Sequence, residues 1–248
     1  MTAKTGKREG DPLVRQEADS RPPSAAADVA AFLQKARETP PDPGRSGRLV
    51  FALDATMSRQ PTWDQACHIQ AEMFREAGQI SGLEIKLVYF RGFGECRASR
   101  WFKDGQELAA VMSRISCQGG RTQIGKVLTA ALKAASDDKI AALVYVGDCM
   151  EENVDVLCDK AGQLGMLGVP VFLFQEGRDG VAERAFREIA RLTNGAFCRF
   201  DAGAAQQLAD LLKAVAVFAS GGRPALQQLE RQGGRGATLL LSQLPPGG

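Results

Sequence analysis

A chain of 248 residues, 44% hydrophobic and 24% charged, has room for one domain with a full core plus tail segments. Its 31 basic and 29 acidic residues are spread along the sequence and leave a net charge of +2, which gives no electrostatic case for nucleic acid or an anionic membrane as partner. No apolar run approaches the roughly 20 residues of a spanning helix, and MTAKTGKREGDPLVRQEADS lacks the apolar core of a signal peptide, so a cytoplasmic protein is expected.

Residues 1–47, rich in Pro, Ala, Gly and mixed charge, read as a mobile arm with one short helical candidate at Ala27–Arg37. RLVFALDATMS follows, from Arg48 to Ser58. Its unbroken apolar run Leu49–Leu53 is the pattern of a strand buried on both faces, and it delivers Asp54, Thr56 and Ser58 at its carboxyl end. Pro61 and Thr62 open a helix through about Gly78, with Thr62 and Gln65 as a capping box and Ala66, Ile69, Met73, Phe74 and Ala77 as its apolar stripe. Leu83–Phe90 reads as a second strand. The turn Gly92–Gly94 leads from it into a more polar edge strand over Arg97–Phe102, making a hairpin.

A helix is expected from Asp104 to Ile115, and the loop CQGGRT feeds another from Gln123 to Ala135. Ile124, Val127, Leu128, Ala131, Leu132 and Ala135 lie on one face of that helix. A buried strand, Ala141–Gly147, is closed by Asp148. A helix over Glu151–Leu164, the strand VPVFLF, a helix over Val181–Leu192, the strand AFCRF and a helix over Ala204–Phe218 complete the alternation. The pattern predicts an α/β fold: a doubly wound, mostly parallel sheet with an antiparallel edge strand and helices on both faces, occupying 48–220. Residues 221–248 read as a Gly-rich tail whose TLLLSQL suits a docking strip or a helix laid on the domain.

Three distant segments offer oxygen ligands at one edge of such a sheet. Asp54, Thr56 and Ser58 follow the first strand, Thr122 precedes a helix that runs back down, and Asp148 ends the next strand. Carboxyl ends of strands and amino ends of the following helices share the ligand-binding edge of a doubly wound sheet. Magnesium favours near-octahedral oxygen ligation and retains waters, so three hydroxyls and two carboxylates would hold it with a position left for a further anion. Helix amino termini disfavour a cation, a term the two aspartates must outweigh. Each residue also has a structural reading: Thr122 as a helix cap, and Asp148 with Glu151 as a capping box.

The set Asp54, Thr56, Ser58, then Thr122, then Asp148, resembles the Asp-x-Ser-x-Ser, distant Thr, distant Asp pattern of von Willebrand factor A-like domains with a metal-ion-dependent adhesion site, over roughly Arg48 to Ser220. One departure is Thr56 where the family has Ser, which keeps the hydroxyl but stiffens the side chain. The resemblance implies that Ser58, Thr56 and Thr122 ligate the metal directly and the aspartates largely through water. It implies a bound magnesium, or another divalent cation such as manganese or calcium, that takes an acidic residue of a partner protein as ligand. It further implies binding rather than catalysis. Intracellular bacterial members of the family work beside ATPases or in small multiprotein assemblies, which gives the expected kind of partner.

The competing reading is a nucleotide-binding enzyme. GRTQIGK, Gly120–Lys126, has the spacing of a phosphate-binding loop, but Val127 follows where a magnesium-binding hydroxyl belongs and the segment before it does not read as a strand. DATMS lacks the second aspartate of a phosphotransferase loop, and GFGECR lacks the third glycine of a dinucleotide fingerprint. The sole histidine, His68, has no nucleophile partner in view. The six cysteines (Cys67, Cys96, Cys117, Cys149, Cys158, Cys198) form no CxxC pair and read as buried thiols, with Cys149 placed next to a site residue and so open to oxidation. Arg91, Arg97, Glu151, Glu152 and Gln175–Arg178 are candidates for the rim around the ion.

Overall fold

A computed structural model describes residues 47–61, 63, 83–201 and 205–245. The expected arm and its helical candidate lie outside the described residues, as do His68, Cys67 and nearly all of the helix expected over 61–78.

Among the described residues six strands form one sheet: β1 Gly47–Asp54, β2 Leu83–Arg91, β3 Glu95–Phe102, β4 Ala142–Gly147, β5 Val171–Glu176 and β6 Ala196–Phe200. Their order is β3-β2-β1-β4-β5-β6, every pair parallel except the β2–β3 hairpin. The expected fold class is the observed one. The chain leaves β1 to one side for β2 and β3, then crosses to the other for β4, β5 and β6. The winding therefore reverses between β1 and β4, and the crevice of a doubly wound sheet opens at the carboxyl ends of those two strands.

Strand β1 explains why both faces are covered. Leu49, Phe51 and Leu53 point into one apolar cluster, Val50 and Ala52 into the other, and all five are buried. Helices α1 Gly105–Met112, α5 Ala205–Arg231 and α6 Arg235–Leu241 cover the first face, and α2 Ile124–Asp138, α3 Val154–Met166 and α4 Gly180–Leu192 the second. The caps of α1, α3 and α4 are local. Asp104 accepts from the Gln106 amide, Asn153 from Asp155 and Val156, and Asp179 from Ala182. Helix α3 thus opens at Val154, three residues later than the expected Glu151, because Asn153 takes the cap.

The edge strand begins at Glu95, earlier than the expected Arg97, and bulges against β2 between Lys86 and Val88, where the Leu87 amide donates to Ser99 Oγ at 2.9 Å. The larger difference is beyond Gly221. The segment read as a Gly-rich tail is helical: α5 continues past a break at Gly222 (φ 65°), and α6 follows. Leu226, Leu229, Ala237, Leu240 and Leu244 belong to the same buried cluster as β1. Gly222 adopts the left-handed conformation that lets the axis turn, and Pro224 falls in the first turn after it, where its missing N–H breaks no ladder. Among the described residues no helix is long and apolar enough to cross a membrane.

Candidate metal centre

Asp54 is the last residue of β1 and is fully buried. Its Oδ1 accepts from the Thr56 amide at 2.8 Å, which bends the chain so that Thr56 Oγ1 and Ser58 Oγ come 3.0 Å apart in a mutual hydrogen bond. The loop is held from both sides. The Ala55 amide donates to Phe90 O and the Gln118 amide to Ala55 O, each at 3.0 Å. Behind it Met57–Arg59 forms a 3-10 turn, and the buried Arg59 guanidinium pairs with Glu176 at the end of β5, Nε to Oε2 2.7 Å. This ion pair fixes the loop relative to the far half of the sheet.

Asp148 and Cys149 follow β4 directly. Because β4 lies parallel beside β1, with Val146 opposite Leu53, residues leaving the two strands emerge side by side. One carboxylate oxygen of Asp54, one of Asp148 and the Cys149 sulfur all lie within 4.8 Å of one another. Asp54 Oδ2 and Asp148 Oδ1 are buried and have no hydrogen-bond partner. Beneath them the Tyr145 ring fills the space under Gly147, where a Cβ would stand 2.3 Å from the phenol oxygen. Only glycine lets the chain pass over that ring.

The electrostatics follow from this crowding. Burial pushes the Asp54 carboxyl up from its ordinary 3.8 to about 6; hydrogen bonds from Thr56 oppose the rise, and the neighbouring Asp148 charge adds to it. Burial, then the Asp148 and Asp54 charges, push the Cys149 thiol up to about 12. Tyr145 is also driven upward, first by burial and then by Asp54. Negative charge is disfavoured here, which is the condition a bound cation relieves.

Thr122 enters by a different route. Its Oγ1 accepts from the Glu151 amide at 3.0 Å while its own amide donates to Glu151 Oε2 at 3.1 Å, so the Thr122 loop is locked to the loop that carries Asp148. The local readings do not describe either residue: Gln123 occupies the cap position of α2, and Glu151 reaches to Thr122 rather than closing a box with Asp148. The structure thus joins Asp54, Thr56 and Ser58 by direct hydrogen bonds, sets Asp148 against Asp54, and couples Thr122 to Asp148 through Glu151. Cys149, noted in the sequence only as a neighbour of Asp148, is a candidate donor that sequence reasoning left out. Its approach to Asp54 depends on strand order.

The Gly120–Lys126 loop does not have the surroundings of a phosphate cradle. Gly120 packs against the Gly92 turn, where a Cβ would meet the Gly92 carbonyl oxygen at 2.0 Å, and no strand precedes it. The free amides at the start of α2 are already taken: Glu152 accepts from Ile124 and Gly125, the latter at 2.9 Å. Both oxygens of the Glu152 carboxylate stand where a phosphate would sit. Lys126 Nζ donates instead to Gly94 O and Gln123 Oε1, each at 2.8 Å.

Most of the expected rim residues are engaged internally. Arg91 and Arg97 both pair with Glu95, Arg178 lies 4.0 Å from Asp201, and Gln175 is buried with Nε2 donating to Asp179 O. Beside exposed charged groups such as Arg97 and Arg178, the rim also exposes two apolar side chains, Met57 in the Asp54 loop and Phe93 at the β2–β3 turn, 51% and 83% accessible. Of the expected buried thiols, Cys117 and Cys198 are buried, whereas Cys96, Cys149 and Cys158 are half-buried, and no disulfide forms among the described residues.

The donor set fits a divalent cation, because two neighbouring carboxylates each keep a buried oxygen without a partner, in a crevice that also offers hydroxyl and thiol groups. Solved structures of similar shape include the SpRpn10 VWA domain (TM-score 0.52, 11% identity, 66% of this chain and 93% of that one). A second is the vWF domain of the type V pili tip protein Mfa5 from Porphyromonas gingivalis (0.54, 10%, 68% and 93%). A third is proximal thread matrix protein 1 from the mussel byssus with a zinc-occupied MIDAS motif (0.53, 12%, 68% and 45%). No protein-family model and no curated protein matches the chain. At these identities the likeness is one of fold, and the fold is that of von Willebrand factor A domains.

Proposed function

We propose that this von Willebrand factor A-type fold is a cytoplasmic, divalent-cation-dependent protein-binding module rather than an enzyme. Asp54, Thr56, Ser58, Thr122 and Asp148 hold the ion, magnesium being the default among hard cations, and leave a position for an acidic residue of a partner protein. The observation that carries this reading is the pair of buried, unpartnered oxygens, Asp54 Oδ2 and Asp148 Oδ1, where the winding of the sheet reverses. Left bare, they cost free energy that a cation returns. The exposed Met57 and Phe93 beside the site supply the apolar contact that a protein partner uses and a small anion does not. The partner proposed is a protein contributing an acidic residue, such as an ATPase or a member of a multiprotein assembly.

Thermal melts of the metal-free chain with and without millimolar magnesium, manganese or calcium test the site. A cation at a hundredfold excess over its dissociation constant stabilises the fold by about 2.7 kcal/mol. Asp54→Ala and Thr122→Ala should abolish that gain and also the capture of partners that chelator releases. A chain whose melting is indifferent to every cation contradicts the proposal. ATP should leave the melting of both the parent and Lys126→Ala unchanged; stabilisation lost in that variant would favour the nucleotide reading.

A further inference from the structure

We propose that the Cys149 sulfur is itself a ligand of the ion held between Asp54 and Asp148, so that two carboxylates and one thiolate form a centre that favours a zinc-class cation over magnesium. This rests on the cation reading above and names the metal the site selects. The three donor atoms already lie within 4.8 Å of one another, from two adjacent parallel strands. Donors around a tetrahedral zinc stand roughly 3.3–3.8 Å apart, so the triad closes by at most about 1.5 Å, a shift of side chains rather than backbone. Asp54 is fully buried with Oδ2 unpartnered, and Asp148 Oδ1 is equally bare.

Magnesium takes hard oxygen ligands and gains little from sulfur, whereas zinc binds thiolate and carboxylate together. The Thr56 and Ser58 hydroxyls, 3.0 Å apart in one shared hydrogen bond, are the oxygens that magnesium would draw on in the reading above, whereas a zinc-class ion on the triad leaves that bond intact. Three protein donors then leave the fourth tetrahedral position open, to water or to a partner's carboxylate. On ligation the S–H bond gives way to a sulfur–metal bond and the proton passes to water; the half-buried Cys149 leaves a path for that exchange. Among the described residues no other cysteine joins two further ligating side chains in this way.

The test uses the metal-free full chain titrated separately with magnesium, zinc and cobalt(II). Cobalt should bring up a near-ultraviolet thiolate-to-metal charge-transfer band that Cys149→Ser and Cys149→Ala both abolish and Cys96→Ser retains. The same two variants should weaken zinc binding by about tenfold or more while magnesium binding changes less than about threefold. Cobalt that binds without the band, in a measurement needing no variant, overturns the sulfur ligand and leaves the cation reading standing. A band and zinc affinity that survive both substitutions do the same. No calorimetric or thermal response to any of the three ions overturns both proposals together.

Discussion

Asp54 shows what one buried carboxylate does to the metal-free fold. Its pKa is raised from 3.8 in the unfolded chain to about 6 in the folded one, so the native state holds its proton more tightly. The fold then gains from this group at low pH, and the gain is lost as pH rises from about 4 through 6, on the order of 3 kcal/mol in all. Asp54→Asn removes the charge, keeps an acceptor for the Thr56 amide and offers donors toward the bare Asp148 Oδ1. Without metal this variant should melt higher than the parent at pH 7 and no higher at pH 4, while losing its response to cations. An equal difference at both pH values would sink the assignment. Sequence alone marks Asp54 and Asp148, because each follows an unbroken apolar run. It cannot mark Cys149 as a neighbour of Asp54, since that contact exists only when β4 is known to lie against β1.

Helix α2 carries the matching argument at the level of elements. Its apolar stripe makes it legible as a helix, and Ile124, Val127, Leu128 and Ala131 are buried where the periodicity puts them. Its start is not legible. Gln123 provides no side-chain cap, and the amides of Ile124 and Gly125 are satisfied by Glu152 from a loop 27 to 28 residues away. A reading confined to neighbours in sequence therefore assigns a local box at Asp148 and Glu151 and misses both long-range bonds. The carboxylate also meets the positive end of the helix. Glu152→Ala should cost about 1–2 kcal/mol, lowering Tm by several degrees, and should raise hydrogen exchange at the Ile124 and Gly125 amides. Unchanged exchange at those two amides would mean that solvent replaces the carboxylate without loss.

At the scale of the whole molecule the question is how far the folding unit extends, and the C-terminal segment decides it. Glycines at 221, 222, 233 and 234 around Pro224 make this stretch look like coil, since composition cannot tell a glycine that turns a helix from one that ends structure. Helix α6 sits close against α5: a Cβ on Gly236 would meet the Asp210 carbonyl oxygen at 2.2 Å. Ala237, Leu240 and Leu244 are buried there, and a buried leucine contributes about 1.5–3 kcal/mol. Just beyond α6, Gln243 Oε1 accepts from the Phe197 amide of β6 at 2.8 Å, occupying a donor on the outermost parallel strand. Deleting residues 234–248 should therefore lower the midpoint of unfolding by roughly 10 °C or more and promote association through the uncovered edge, read by thermal melts and size-exclusion chromatography. Gly236→Leu in the full chain should do so to a lesser degree by prising α6 off α5. A true tail would leave both measurements where they were.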